Sequence, residues 1–106
     1  MERVADKEKH VKVMTNHDDW LFEQLKDAEF AAEYLNAASD DDDPKSYLTA
    51  LRKVVEARGG IASTAEKAHL SRETLYRTLS TRGNPTIRTL NAVLKATGLK
   101  FAVSAY

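Results

Sequence analysis

The chain has 106 residues, of which 42% are apolar and 30% are charged, and it contains no cysteine. This length suits one domain with a modest core, and the lack of cysteine excludes disulfides and thiolate metal sites. No stretch of the sequence approaches the roughly 18–20 apolar residues of a membrane span, and residues 1–10 lack the apolar core of an export signal. We therefore expect a cytoplasmic protein.

The net charge of zero conceals two oppositely charged halves. Residues 1–43 hold 13 acidic and five basic side chains, a net charge of −8, whereas residues 44–106 hold 11 basic and three acidic ones, a net charge of +8. Such a split suggests two surfaces with different partners, a polyanion for the basic half and a basic protein for the acidic half. The simpler alternative is that the two halves attract each other.

The first part of the chain predicts a flexible or extended arm over residues 1–17, followed by a single domain over residues 18–106. Residues 10–14 alternate briefly, but the arm lacks a helical apolar repeat. Asp18 and Asp19 offer a helix start, and apolar residues at three- and four-residue spacing predict acidic helices over 18–38. The aspartates at 40–43 predict a solvated turn, because a Ca²⁺ loop needs spaced ligands and a glycine.

Later elements have clear start and stop signals. Asp43 and Pro44 predict the start of a helix that ends at Gly59. Two short helices separated by a turn occupy about residues 60–80. A last helix and an alternating terminal strand are predicted over residues 86–104.

The pair of short helices carries the pattern that bears on function. Small residues allow the two helices to approach closely, as a helix-turn-helix requires: Ala62, Ala65 and Ala68. On the second helix, Leu75 and Leu79 are predicted to face the core. At roughly 100° per residue, five polar side chains fall within an arc of about 140°. They are Arg72, Glu73, Tyr76, Arg77 and Ser80.

This arc suits the recognition of DNA bases. Arginine can donate two hydrogen bonds to guanine, and glutamate can accept one from cytosine. The residues predicted to contact DNA around the arc are Thr64, Lys67, Ser71, Thr74, Arg82, Asn84 and Thr86. The alternatives are that the arc is a solvated face, and that Asn84 and Thr86 serve only as turn and cap.

Seven blocks of the sequence resemble, in order and spacing, the addiction-module antidote family. They are Leu21-Phe-Glu-Gln-Leu-Lys-Asp27, Ala31-Ala-Glu-Tyr-Leu-Asn36, Ala50-Leu-Arg52, Ala57-Arg-Gly-Gly60, Leu70-Ser-Arg-Glu-Thr-Leu-Tyr-Arg-Thr-Leu-Ser80, Gly83-Asn-Pro-Thr86 and Leu94-Lys-Ala-Thr-Gly-Leu99. The resemblance covers about residues 18–103. His69 departs from the glycine that relatives often have there, and this departure concerns the geometry of the turn.

The resemblance is to prophage-type, HigA-like antitoxins and has several implications. It implies a mainly α, lambda-repressor-like (Cro/cI-type) helix-turn-helix bundle of about five to six helices with a C-terminal β-strand. It implies a bacterial type II toxin–antitoxin operon in which the protein, as a homodimer, binds double-stranded operator DNA and represses its own promoter. The implied protein partner is a small, basic RelE/HigB-like ribonuclease toxin.

Two further surfaces are predicted to bind protein. The acidic segment carries aromatic side chains that suit a basic toxin surface, although they could instead belong to the core: Trp20, Phe22, Phe30 and Tyr34. The terminal strand suits the pairing of two copies, although it could instead pack on its own subunit: Leu99, Phe101 and Val103.

Other classes of function make different demands. A prophage-type repressor with no toxin partner shares every DNA-binding feature, and a helical domain that binds only protein would bind no DNA at moderate salt. Catalysis, metals and cofactors are not predicted. His10, His17 and His69 are scattered, and the sequence has no HExxH spacing, cysteine nucleophile or phosphate-binding glycine loop.

Overall fold

The computed structural model describes residues 17–105, which form six helices and no strand. The helices are α1 (His17–Gln24), α2 (Ala28–Ser39), α3 (Pro44–Ala57), α4 (Gly60–Lys67), α5 (Arg72–Thr78) and α6 (Ile87–Ala96). The mainly helical class is therefore confirmed. The predicted arm, residues 1–17, lies outside the described residues except for His17, which begins α1, so that Asp18 and Asp19 lie in the first turn.

Helix starts follow the capping residues of the sequence. Asp27, Asp43, Ser71 and Thr86 each take an N-cap position with an extended backbone. Each side-chain oxygen accepts a hydrogen bond from a backbone N–H of the first turn, which satisfies a donor that the helix itself leaves unpaired. Local sequence therefore sets where these four helices begin.

The core is centred on α3. Its apolar face buries Leu51, Val54 and Val55 completely. α1, α2 and α4 pack on α3, and α4 in turn contacts α5 and α6. Leu75 and Leu79 are also buried, which confirms the prediction that this side of the fifth helix faces the core.

Arg58, the C-cap of α3, joins the carboxyl ends of three helices. Its Nε donates to the carbonyl oxygen of Thr97 at 2.8 Å, and its Nη1 donates to the carbonyl oxygen of Lys26 at 2.6 Å. Thr97 caps α6, and Lys26 follows the end of α1. Gly98 leaves room for this side chain, since a Cβ there would lie 3.3 Å from Nη2 of Arg58. A single guanidinium thus offsets the negative ends of neighbouring helix dipoles.

The predicted C-terminal β-strand is wrong. Residues 99–105 follow α6 without helix or strand, and nothing within residues 17–105 pairs with them as a strand. The backbone N–H of Leu99 donates to the carbonyl oxygen of Leu94 at 2.9 Å, and its side chain packs against the core, whereas Val103 is 99% exposed. A strand needs a hydrogen-bonded neighbouring strand, which the described residues do not provide here. The alternation of apolar residues therefore does not mark a strand, and it is Leu99 alone that anchors the segment at the end of α6.

Within residues 17–105, no helix is long and apolar enough to cross a membrane.

Replacing Arg58 by Ala should lower the free energy of unfolding by about 2–3 kcal/mol, because the carbonyl groups at two helix ends lose a charged donor. Arg52→Ala, on the same helix, should cost less than about 1 kcal/mol, since its ion pair with Glu56 is exposed. Chemical denaturation of both variants and the wild type measures the difference. Equal losses in the two variants would contradict a structural role for Arg58.

Candidate nucleic-acid interface

α4 and α5 are joined by a tight turn over residues 68–71 that has a defined helix-ending geometry. The N–H of His69 donates to the carbonyl oxygen of Glu66 at 3.2 Å, and the N–H of Leu70 donates to that of Ala65 at 2.8 Å. These two bonds form a Schellman motif, whose residue after the C-cap takes a left-handed conformation. His69 has φ +60° and occupies that position. The turn therefore has the geometry in which glycine usually follows the C-cap, and histidine occupies that position here.

The crossing of α4 with its neighbours differs in detail from the prediction. Ala65 and Ala68 are buried there as expected, but Ala62 is exposed. Thr64 is 1% exposed, and its Oγ1 has no hydrogen-bond partner among the described residues. The side chain of Thr64, which was predicted to contact phosphate, faces the core in the described structure.

The predicted polar arc lies on the exposed side of α5. Arg72, Glu73, Tyr76 and Arg77 are all exposed, whereas Leu75 of the same helix is buried. Within residues 17–105, no ion pair engages either arginine or the glutamate. This side therefore presents to solvent charged groups that form no ion pair with the described part of the chain.

The hydroxyl groups around α5 are engaged in local hydrogen bonds. Ser71 Oγ accepts from the N–H of Thr74 and donates to Thr74 Oγ1, and Thr86 Oγ1 accepts from the N–H of Thr89. Ser80 lies beyond the end of α5, is half-buried, and donates to the carbonyl oxygen of Arg77 at 2.8 Å. These residues set the ends of the helices, so the capping interpretation of Thr86 holds in the structure.

The loop from α5 to α6 brings further polar groups beside the arc. Arg82 and Asn84 are exposed, and Lys67 is exposed at the end of α4. Gly83 brings this loop close to the backbone at the end of α5, because a Cβ at that position would overlap the carbonyl oxygen of Thr78. Lys67, Arg82 and Asn84, which were predicted to contact DNA, are thus accessible to solvent.

Arg52 is a residue that the sequence analysis missed. It lies on α3, and its Cζ is 5.4 Å from the ring centroid of Tyr76 on α5. Its Nε donates to Glu56 Oε2 at 3.3 Å. Its charge was visible in the sequence, but only the packing of α3 and α5 places it beside the arc.

The acidic turn between α2 and α3 borders the same region. Asp41 and Asp42 line a groove of about 360 Å³ together with Gly83 and Asn84. The backbone N–H of Asp43 and the hydroxyl of Ser46 hold the pKa of the Asp41 carboxyl below its ordinary value. A negative border therefore limits the basic surface at the loop.

The predicted protein-binding aromatic side chains divide into two groups. Trp20 is 42% exposed and Phe22 is 40% exposed, whereas Phe30 and Tyr34 are half-buried against the core. The rings of Trp20 and Phe30 meet edge to face with centroids 5.9 Å apart, and His17 stacks on Trp20 at 5.8 Å. We use the name acidic aromatic surface for the exposed aromatic side chains of α1, His17, Trp20 and Phe22, because the same helix carries exposed acidic residues. His17 and Trp20 stack, whereas the ring of Phe22 lies under Lys26 Nζ at 5.3 Å.

The ion pairs of residues 17–105 give little support to an attraction between the two charged halves. Lys26 pairs with Glu23 at 2.9 Å, and Arg52 pairs with Glu56, each within one half. Lys53 reaches Asp18 across the halves at 3.7 Å, with both side chains well exposed. Exposed pairs of this kind contribute at most about 1 kcal/mol.

Comparison with known proteins identifies the family. A family described as "Probable addiction module antidote protein" matches residues 15–105. The chain belongs to this family. It is also similar to an uncharacterized protein of Haemophilus influenzae (strain ATCC 51907 / DSM 11121 / KW20 / Rd), with 39% identity over 92 residues, covering 78% of this chain and 94% of that protein. No solved structure matches the chain.

Membership of the antidote family confirms the family resemblance that was predicted from the sequence. An antidote of an addiction module has a toxin as its counterpart, so a toxin partner is implied in general terms. The antidote chain accordingly needs at least one protein-binding surface, and the acidic aromatic surface is exposed and available for such a role.

Replacing Thr64 by Val should raise the free energy of unfolding of this antidote-family chain by about 1 kcal/mol, because a buried hydroxyl without a partner is removed at nearly constant volume. Thr97→Val is the matched control. Thr97 is also buried, but its Oγ1 donates to the carbonyl oxygen of Leu94 at 2.7 Å, so this variant should lose stability. Thermal unfolding measures both; a loss of stability in Thr64→Val would show that its hydroxyl is satisfied in solution.

Proposed function

We propose that this antidote-family chain is the antitoxin of a bacterial type II module and represses its own promoter by binding operator DNA. The observation that carries the proposal is the exposed arc of α5, with Arg72, Glu73, Tyr76 and Arg77 on one side and Leu75 buried on the other. We interpret α4, the turn over 68–71 and α5 as a lambda-repressor-like helix-turn-helix, with α5 as its recognition helix.

The chemistry of the arc supports a division between base and backbone contacts. Arg72 and Arg77 can each donate two hydrogen bonds to guanine, and Glu73 can accept from cytosine. Lys67 and Arg82 lie on flanking elements and suit phosphate oxygens. Because phosphate contacts release counterions, binding should weaken steeply as salt increases.

A dimer would give this arrangement its specificity. Two recognition helices related by a two-fold axis would enter successive major grooves of a palindromic operator, about 34 Å apart. Phe101 and Val103 are exposed on a segment that no strand of residues 17–105 covers, so this segment remains our candidate for the contact between copies. We expect a titration of operator DNA with the protein to saturate at two protomers per site.

Replacing Arg72 or Arg77 by Ala should weaken binding to the DNA upstream of the gene by about 1–3 kcal/mol, because a bidentate base contact is lost. The loss on random duplex should be smaller, since random DNA lacks the matching guanine. Mobility shifts with both duplexes at several salt concentrations measure the two affinities.

Lys95→Ala is the matched control for these two variants. It removes the same charge from an exposed position in the last turn of α6, at the end away from the loop over 80–86. An equal loss on both duplexes in Arg72→Ala or Arg77→Ala would mean that the arginine touches only phosphate. Failure of the wild-type protein to prefer its own upstream DNA would overturn the repressor proposal.

The second part of the proposal is that the acidic aromatic surface neutralises a basic RelE/HigB-like ribonuclease toxin. Trp20 and Phe22 expose apolar area on α1, and Asp19, Glu23 and Glu29 are exposed on α1 and α2. Aromatic anchors supply binding energy at interfaces, and complementary charge speeds and orients association. The half-buried ring of Phe30 packs edge to face against the ring of Trp20.

Replacing Trp20 or Phe22 by Ala should weaken binding to the toxin encoded beside the gene by roughly tenfold or more, because an aromatic anchor is lost. Ile87→Ala is the control, since Ile87 is 73% exposed and lies on α6 beside the DNA-facing loop. Calorimetric titration measures the affinities. Unchanged affinity in both aromatic variants would exclude this surface as the docking site.

The alternative is a prophage-type repressor with no toxin partner. It would share the arc of α5 and differ only in the use of the acidic aromatic surface. A neighbouring gene for a small basic protein that copurifies with the chain favours the antitoxin, and the absence of such a gene favours the alternative.

A further inference from the structure

We propose that Arg52 of α3 contacts the DNA backbone beside the recognition helix and holds Tyr76 in position there. This inference rests on the proposed function, since it requires α5 to face DNA. It adds a residue from outside the helix-turn-helix segment to the DNA-binding surface. Neither the family description nor the pattern of residues 60–86 points to this residue.

The contact between Arg52 and Tyr76 leaves both side chains accessible. The Arg52 side chain is 43% exposed, and Tyr76 is 46% exposed. The guanidinium carbon lies 5.4 Å from the ring centroid, within the range of a cation–π interaction. Tyr76 therefore has a cationic neighbour from a different helix, which restricts the directions in which its ring can turn.

The hydrogen-bonding edge of Arg52 is only partly used. Its Nε donates to Glu56 Oε2 at 3.3 Å, and its two terminal Nη amino groups donate no hydrogen bond within residues 17–105. Glu56 is 45% exposed, so its ion pair is weak and does not outcompete a phosphate. Arg52 thus keeps donors in a planar fork that matches phosphate oxygens.

The position of Arg52 suits the DNA backbone rather than the bases. A helix in the major groove is flanked by phosphates, and residues from a neighbouring helix reach these more readily than base edges. Arg52 approaches α5 from α3, at the side of Tyr76. The basic surface consequently extends from α5 onto α3.

The test measures the dependence of DNA affinity on salt for wild type, Arg52→Ala, Arg52→Lys and Lys53→Ala. The probes are a random-sequence duplex and the duplex from upstream of the gene. Arg52→Ala should weaken binding to both duplexes by roughly tenfold at 0.1 M salt and reduce the slope of log affinity against log salt by about 0.9 per protomer. Lys53→Ala should leave the slope unchanged, because Lys53 lies beside Asp18 of α1.

Arg52→Lys separates the charge from the planar group. Lysine keeps the phosphate charge but cannot lie flat on the Tyr76 ring while presenting a fork, so we expect the wild-type slope together with a reduced preference for the upstream duplex. A merely structural role for Arg52 would change neither the slope nor this preference.

The outcomes distinguish the two proposals. A wild-type slope in a folded Arg52→Ala protein overturns the role of Arg52 and leaves the proposed function intact. Wild-type protein that binds neither duplex overturns the proposed function itself. Thermal unfolding of each variant verifies that the fold is retained.

Discussion

The arrangement of the six helices depends on the way in which Arg58 satisfies the carboxyl ends of α1 and α6. Helix ends leave carbonyl groups unpaired, and their dipoles place partial negative charge there. Arg58 sits at the end of α3 and donates to the carbonyl oxygens of Lys26 and Thr97. One side chain therefore fixes the first and last helices against the central one. Because α6 packs on α4, the same contact supports the frame on which α5 is held.

The candidate recognition helix is too short to be stable alone. α5 has seven residues, and isolated helices below about 12–15 residues are marginal in water. Its Ser71 cap and the burial of Leu75 and Leu79 hold it in place, which leaves its opposite side free for polar groups. Stability and accessibility thus come from different sides of the same short helix, and the hydroxyl groups of Ser71 and Thr86 serve the helix ends.

The distribution of charge in the folded chain is more complex than in the sequence. The acidic aromatic surface on α1 is exposed and suits a basic protein, and the arc of α5 suits a polyanion. The acidic turn, however, borders the loop that contains Asn84, and its Asp41 carboxylate is held in the charged form. The contacts with phosphate that we propose are consequently less favourable at that edge than at Lys67 or Arg52.

The sequence by itself determined the helical class, the capped helix starts at Asp43 and Thr86, and the exposed arc of α5, because caps and apolar periodicity are local signals. It also carried the family resemblance, which the comparison with known proteins confirmed. Only the tertiary structure decided that Thr64 is buried, that Arg52 lies beside Tyr76 and that residues 99–105 pair with no strand of the described chain. These features depend on how helices cross and on which backbone groups find partners, and neither is encoded within a single segment.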